Sequence, residues 1–146
     1  MKVSFTKDEG GNKVWAKELR EDELVNEIVY TLYNNKVPVS DLNLRNEFGI
    51  YVFFYKGKIP FKSLAELEEK WYAEELKKSP RVIKKNFEKC LKINDYYSFY
   101  VGKSEKMKSR INEHLNHSKN HATYGLKIKD RINFNQNDFQ IGYWYL

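Results

Sequence analysis

Two short apolar runs, residues 48–55 and 96–102, constrain this chain more than anything else in it. Each has the length of a β-strand and is rich in aromatic and β-branched residues. The first contains Gly49-Ile50-Tyr51 and runs into the turn Lys56-Gly57-Lys58; the second ends in Tyr100-Val101-Gly102. A third strand is predicted at residues 139–146, which are strongly apolar and aromatic.

Helical periodicity fills the intervals. In residues 17–33, Leu24, Val25, Ile28, Val29, Leu32 and Tyr33 recur at three-to-four spacing and acids crowd the first turn, as an amphipathic helix requires. Val37-Pro38-Val39-Ser40 reads as a connector. Ser63 with Glu66 three residues on is a capping box, and Leu64, Leu67, Trp71 and Leu76 line the helix behind it. Ser79-Pro80 restarts a helix striped by Ile83, Phe87, Cys90 and Leu91. Ser104 is expected to cap a helix buried along Met107, Ile111 and Leu115, and a short helix over 123–132 should turn Ile128 and Ile132 inward. The order is α-β-(αα)-β-α-α-β. It predicts an α+β domain in which a small, three-stranded, mostly antiparallel sheet is flanked by helices.

At 146 residues there is room for one core, so 1–146 is read as a single domain. Residues 1–48 form an N-terminal helical extension, and 49–146 the core, with a helical insertion at 57–94. The apolar runs are too short for a membrane span, and no secretion signal opens the chain, so a cytoplasmic protein is expected. Cys90, the one cysteine, reads as a small apolar residue on a helix.

Charge is unevenly placed. Residues 1–48 carry seven Lys/Arg against nine Asp/Glu, about −2, and the remainder nineteen against eleven, +8, for the net +6. The basic stretches are 77–92, 103–110 and 119–131. A polyanion suits such a surface, because each phosphate neutralised by Lys or Arg releases condensed counterions. The plainer reading is a set of solvated lysine-rich helix faces.

Gly49-Ile50-Tyr51, Tyr100-Val101-Gly102, Arg110 and His114, in that order, resemble the GIY-YIG nuclease family. The resemblance runs from Gly49 to Leu146, with the 57–94 insertion where the family has a short loop. It implies a GIY-YIG-like fold and a metal-dependent endonuclease acting on nucleic acid, expected to be DNA, with Mg²⁺ or Mn²⁺ as cofactor. Tyr51, Tyr100, Arg110 and His114 are the implied catalytic residues: Tyr51 takes a proton from water, while Tyr100 and His114 orient water or phosphate. Gly49, Gly102, Lys103, Lys106 and Lys108 are candidate substrate-binding positions.

The chemistry fits these types. Arg110 offers a permanent forked cation that matches phosphate. A phenol with a pKa near ~10 needs a neighbouring cation before it can accept a proton near neutrality, and Lys103 is a candidate for that task. Arg110 and His114, four apart, share a helical face.

The family's metal-binding glutamate lies on a helix after the third strand, and no glutamate here matches it. A shortened polypeptide, an inactive nuclease or a substitute acid would each explain this; the substitutes are Glu47, Glu113, Glu23 and Glu27. His114, His117 and His121 could form a zinc face only if their helix ran that far, and Asn116, Ser118 and Asn120 favour its ending. The insertion is either a substrate-binding arm or a helical hairpin shielding the sheet. The alternatives to a nuclease are an inactive nucleic-acid-binding module of the same fold, and a protein-interaction domain docking through the acidic first helix. One active site nicks one strand, so cutting both would take a homodimer or sequential events. The nuclease reading requires both phenolic hydroxyls and the guanidinium to meet in a solvent-reachable hollow.

Overall fold

The computed structural model describes residues 5–7, 13–15, 21–57, 62–74, 87–88 and 90–146. Its centre is strand β4 (Gly49–Tyr55), flanked on one side by β6 (Tyr96–Ser104) and on the other by β7 (Phe139–Tyr145). Two-residue strands, β3 (Val37–Pro38) beyond β7 and β5 (Lys92–Ile93) beyond β6, complete an antiparallel sheet of order β3-β7-β4-β6-β5. The sheet therefore has five strands, not the three expected. The three long ones fall where the apolar runs predicted them. The added edges are too short to leave a sequence pattern, and Pro38 suits an edge because it has no N–H to offer. A separate hairpin pairs β1 (Phe5–Lys7) with β2 (Lys13–Trp15), so residues 1–48 are not wholly helical.

All seven residues of β4 are buried, as both faces of the sheet are covered. Helix α1 (Glu21–Asn34) lies on one face, where its Leu24, Ile28, Val29 and Leu32 are buried and Ile28, Val29 and Leu32 pack with Ile50, Val52 and Phe54. Helix α1 thus contributes four buried side chains to the core. The opposite face, which carries Tyr51, Phe53 and Tyr55, is covered by α2 (Leu64–Tyr72) and α3 (Met107–Asn116). Ser63 Oγ accepts the Glu66 N–H at the start of α2, as its capping box predicted. Leu67 and Trp71 are buried, so the described part of the insertion builds core. The helix predicted after Ser79-Pro80 lies mostly outside the described residues.

One irregularity in β6 decides what the second tyrosine faces. Register runs Tyr51↔Gly102 and Phe53↔Tyr100, then slips so that Phe54 pairs with Ser98 and Tyr55 with Tyr97. Phe99 is the extra residue of a β-bulge. Without it, alternation would put Tyr100 and Gly102 on the face opposite Tyr97 and Phe99. With it, Tyr97, Phe99 and Tyr100 all join the cluster around Tyr51.

Residues 123–132 do not form the predicted helix. They make a loop with one 3₁₀ turn at Ile128–Asp130, entered by Lys127 at φ 55°. Ile128 is buried as expected, but Ile132 is 91% exposed.

Candidate functional site

Helix α3 positions the cluster. Ser104 Oγ accepts the Lys106 N–H, but the helix starts at Met107, two residues later than a direct Ser104 cap would give. Its first turn is held from outside: Glu47 C=O accepts the Met107 N–H, and Asn46 Oδ1 accepts the Ser109 N–H at 2.8 Å. Met107, Ile111 and Leu115 form the buried stripe that periodicity predicted. This seats His114 over the sheet, with ring centroids 5.7 Å from Tyr51 and 5.0 Å from Tyr100.

His114 is fully buried, and both its nitrogens are engaged. Nδ1 accepts the Leu126 N–H at 2.9 Å, while Nε2 lies 2.9 Å from Tyr51 Oη. Burial, and after it the charge of Arg110, hold the imidazole well below its ordinary pKa, so it is neutral. A neutral ring accepting at Nδ1 carries its proton on Nε2. Nε2–H therefore donates to the Tyr51 oxygen and turns the phenol's own proton elsewhere. The expected direct contact of His114 with water or phosphate is not available; it acts on Tyr51.

Tyr51 crosses the sheet onto its register partner. A Cβ at Gly102 would lie 2.5 Å from Tyr51 Cζ, so only glycine leaves room for the ring. Gly49 meets a different need: a Cβ there would fall 2.6 Å from Trp144 C=O and 3.0 Å from Met107. Packing alone therefore requires glycine at both of these candidate substrate-binding positions.

Arg110 lies against the two phenols on the solvent side. Burial raises the Tyr51 pKa above the ordinary phenol range, Tyr100 adds to this, and Arg110 opposes it by charge and hydrogen bonding. Tyr100 follows the same balance, raised by burial and lowered by Arg110. The guanidinium is itself held: Nη1 donates to Glu113 Oε2 at 2.6 Å and Nη2 to Tyr124 C=O at 3.2 Å. Tyr51, Tyr100, Arg110 and His114 thus come together as the spacing predicted, but not in an open hollow. Tyr51 is 1% exposed and Tyr100 5%, against 25% for the Arg110 side chain. Arg110 and Glu113 form the wall through which the phenols would be reached.

Other predicted positions lie elsewhere. Lys103 pairs with Ile50 and leaves β6 on the α1 face, away from the phenols it was expected to tune. Lys106 and Lys108 are exposed at the start of α3. Of the basic stretch at 119–131, Lys127 and Arg131 are buried: Lys127 Nζ donates to His121 C=O, and Arg131 Nε donates to Leu126 C=O while its guanidinium covers Trp71. They brace the loop. Most of the 77–92 stretch lies outside the described residues. Burial pushes the half-buried Cys90 thiol up to about 11, which leaves it inert as a nucleophile.

The described residues do not assemble a metal centre. Among the described residues no three His, Cys, Asp or Glu side chains gather to hold an ion. Glu113, the acid nearest the phenols, is spent on Arg110; Glu47 pairs with Arg45; Glu23 and Glu27 are on α1, across the sheet. His117 and His121 stack beyond the end of α3 with ring centroids 4.3 Å apart, and His114 is not with them.

A cavity of about 780 Å³ opens at the far end of β4, lined by Tyr55, Lys70, Asn116, Lys129, Asn133 and Gln136 among others. Its polar groups largely hold the surrounding loops: Gln136 Nε2 donates to Leu115 C=O, and Glu74 accepts the Ile132 N–H. It does not include the tyrosine cluster. No helix among the described residues is long and apolar enough to cross a membrane. No family model, curated protein or solved structure matches this chain.

Proposed function

We propose that this chain is an endonuclease domain of the GIY-YIG type that hydrolyses nucleic-acid phosphodiesters, with DNA as substrate. The observation that carries the proposal is the convergence, from two strands and a helix, of the Tyr51 hydroxyl, Tyr100, Arg110 and the His114 Nε2–H. Developing negative charge on a phosphoryl group is stabilised by fixed donors and cations already in place.

In this reading the substrate phosphate displaces the Glu113 carboxylate from Arg110. The exchange has two consequences. Arg110 Nη1 gains a charge-assisted hydrogen bond to the phosphate. The incoming phosphodiester carries the same single negative charge the carboxylate held, so the guanidinium remains the group that lowers the Tyr51 pKa. The His114 Nε2–H completes the support for a phenolate; once the phenol's own proton has passed to bulk solvent, Tyr51 can take a proton from attacking water. Among the described residues no site for the family's divalent ion is assembled, and none of these steps runs through one.

A second reading, a catalytically silent nucleic-acid-binding module, draws support from the burial of both rings. Incubation of supercoiled plasmid with Mg²⁺ or Mn²⁺ separates the two. The nuclease reading expects nicked circles from the wild-type chain and none from Arg110→Ala; binding without nicking under both ions would favour the silent module.

A further inference from the structure

We infer that the backbone of residues 124–126 is a positioning element of the proposed site, with Gly125 as the residue that lets it work. The inference rests on the nuclease reading for its catalytic consequence but on geometry alone for its structure. Tyr124 C=O accepts from Arg110 Nη2 at 3.2 Å, and two residues on Leu126 N–H donates to His114 Nδ1 at 2.9 Å. One short stretch of main chain thus holds both members of the α3 pair.

The intervening residue has to be small. A Cβ on Gly125 would lie 2.5 Å from Glu113 C=O and 3.2 Å from the His114 backbone nitrogen. The contact is with helix backbone, which cannot swing aside as a side chain can. The segment is pinned on its far side too: Leu126 is buried, its C=O accepts Arg131 Nε, and Lys127 is buried at positive φ with Nζ on His121 C=O. These contacts explain why two cations of a basic stretch are inside the protein.

The consequence is chemical. A backbone N–H can only donate, so it forces Nδ1 of His114 to remain an acceptor and commits the ring proton to Nε2, facing Tyr51. The loop therefore sets the direction of the His114–Tyr51 hydrogen bond without touching Tyr51. Tyr124 C=O acts likewise on Arg110, fixing one arm of the guanidinium while the other is exchanged between Glu113 and substrate. Gly125 and Leu126 are positioning residues rather than catalytic ones.

The test is nuclear magnetic resonance on the isotopically labelled full chain. We expect a nitrogen–nitrogen scalar coupling across the hydrogen bond between the Leu126 amide and His114 Nδ1, and no titration of His114 across neutral pH. Gly125→Ala should abolish the coupling and slow plasmid nicking about a hundredfold, the usual cost of a displacement near one ångström. Absence of the coupling in the wild-type protein would overturn the inference, as would a folded Gly125→Ala protein with the coupling unchanged. The wild-type measurement needs no variant, so it stands even if Gly125→Ala does not fold. Coupling present in a protein that never nicks DNA would sink the nuclease reading and leave the positioning geometry in place.

Discussion

Glu113 occupies the cation that a phosphate would need. Its carboxylate sits 2.6 Å from Arg110 and adds to the forces keeping Tyr51 protonated. Glu113→Gln should therefore tighten DNA binding by about 1 kcal/mol, roughly fivefold, in a fluorescence anisotropy titration; unchanged or weaker binding would mean that Arg110 is not the phosphate ligand. At this scale the sequence was informative about who meets whom. Two tyrosine–glycine triplets and an Arg/His pair four apart named four side chains that lie together in the structure. Exposure and proton position were hidden, because they depend on residues remote in sequence: Gly102 opens the space into which Tyr51 folds, and Leu126 sets the His114 proton. Gly125, the key to that approach, left only an isolated glycine as a signal.

Strands and helices were legible where pattern and structure share a period. The apolar runs became β4, β6 and β7, and the Met107-Ile111-Leu115 stripe became the buried side of α3. The bulge at Phe99 was not legible, since Phe99 and Tyr100 are adjacent aromatics with no polar residue between them to betray a change of phase, and Ser98 is itself buried. Residues 123–132 misled for the opposite reason: Ile128 and Ile132 are spaced like a helix, but Gly125 and left-handed Lys127 break it. The N-terminal hold on α3 comes from Asn46, across a strand and 63 residues away, beyond the reach of local capping rules. Asn46→Ala should cost about 1 kcal/mol of unfolding free energy. Chemical denaturation measures it, and a change within error would show that solvent satisfies the Ser109 N–H equally well.

For the molecule as a whole, a sheet sandwiched between α1 and the α2–α3 layer buries an ionisable imidazole at the centre of its aromatic core. The His114 pKa is depressed in the folded chain, so the unfolded chain binds the extra proton first as pH falls. Stability should then be fully present above the unfolded value near ~6.5 and drop below it, with a slope of up to roughly 1.4 kcal/mol per pH unit. Denaturation midpoints between about pH 7 and 5 test this. His114→Gln should flatten the curve over that window; an equally steep curve in the variant would assign the proton uptake to other groups. The overall charge excess foretold a basic surface, but burial of Lys127 and Arg131 removes part of it. Of the exposed lysines near Arg110, Lys106 sits at the N-cap of α3, and Lys108, two residues before Arg110, does not share its helical face.

The central claim is that the Tyr51 hydroxyl takes part in breaking a phosphodiester. Single-turnover nicking of plasmid by Tyr51→Phe tests it most directly, because the substitution keeps the ring, its packing over Gly102 and the surrounding fold while deleting one oxygen. The account predicts a rate lower by at least about a hundredfold with DNA affinity preserved, in line with the loss of a proton-transfer group. A Tyr51→Phe protein that nicks as fast as the wild type would contradict it.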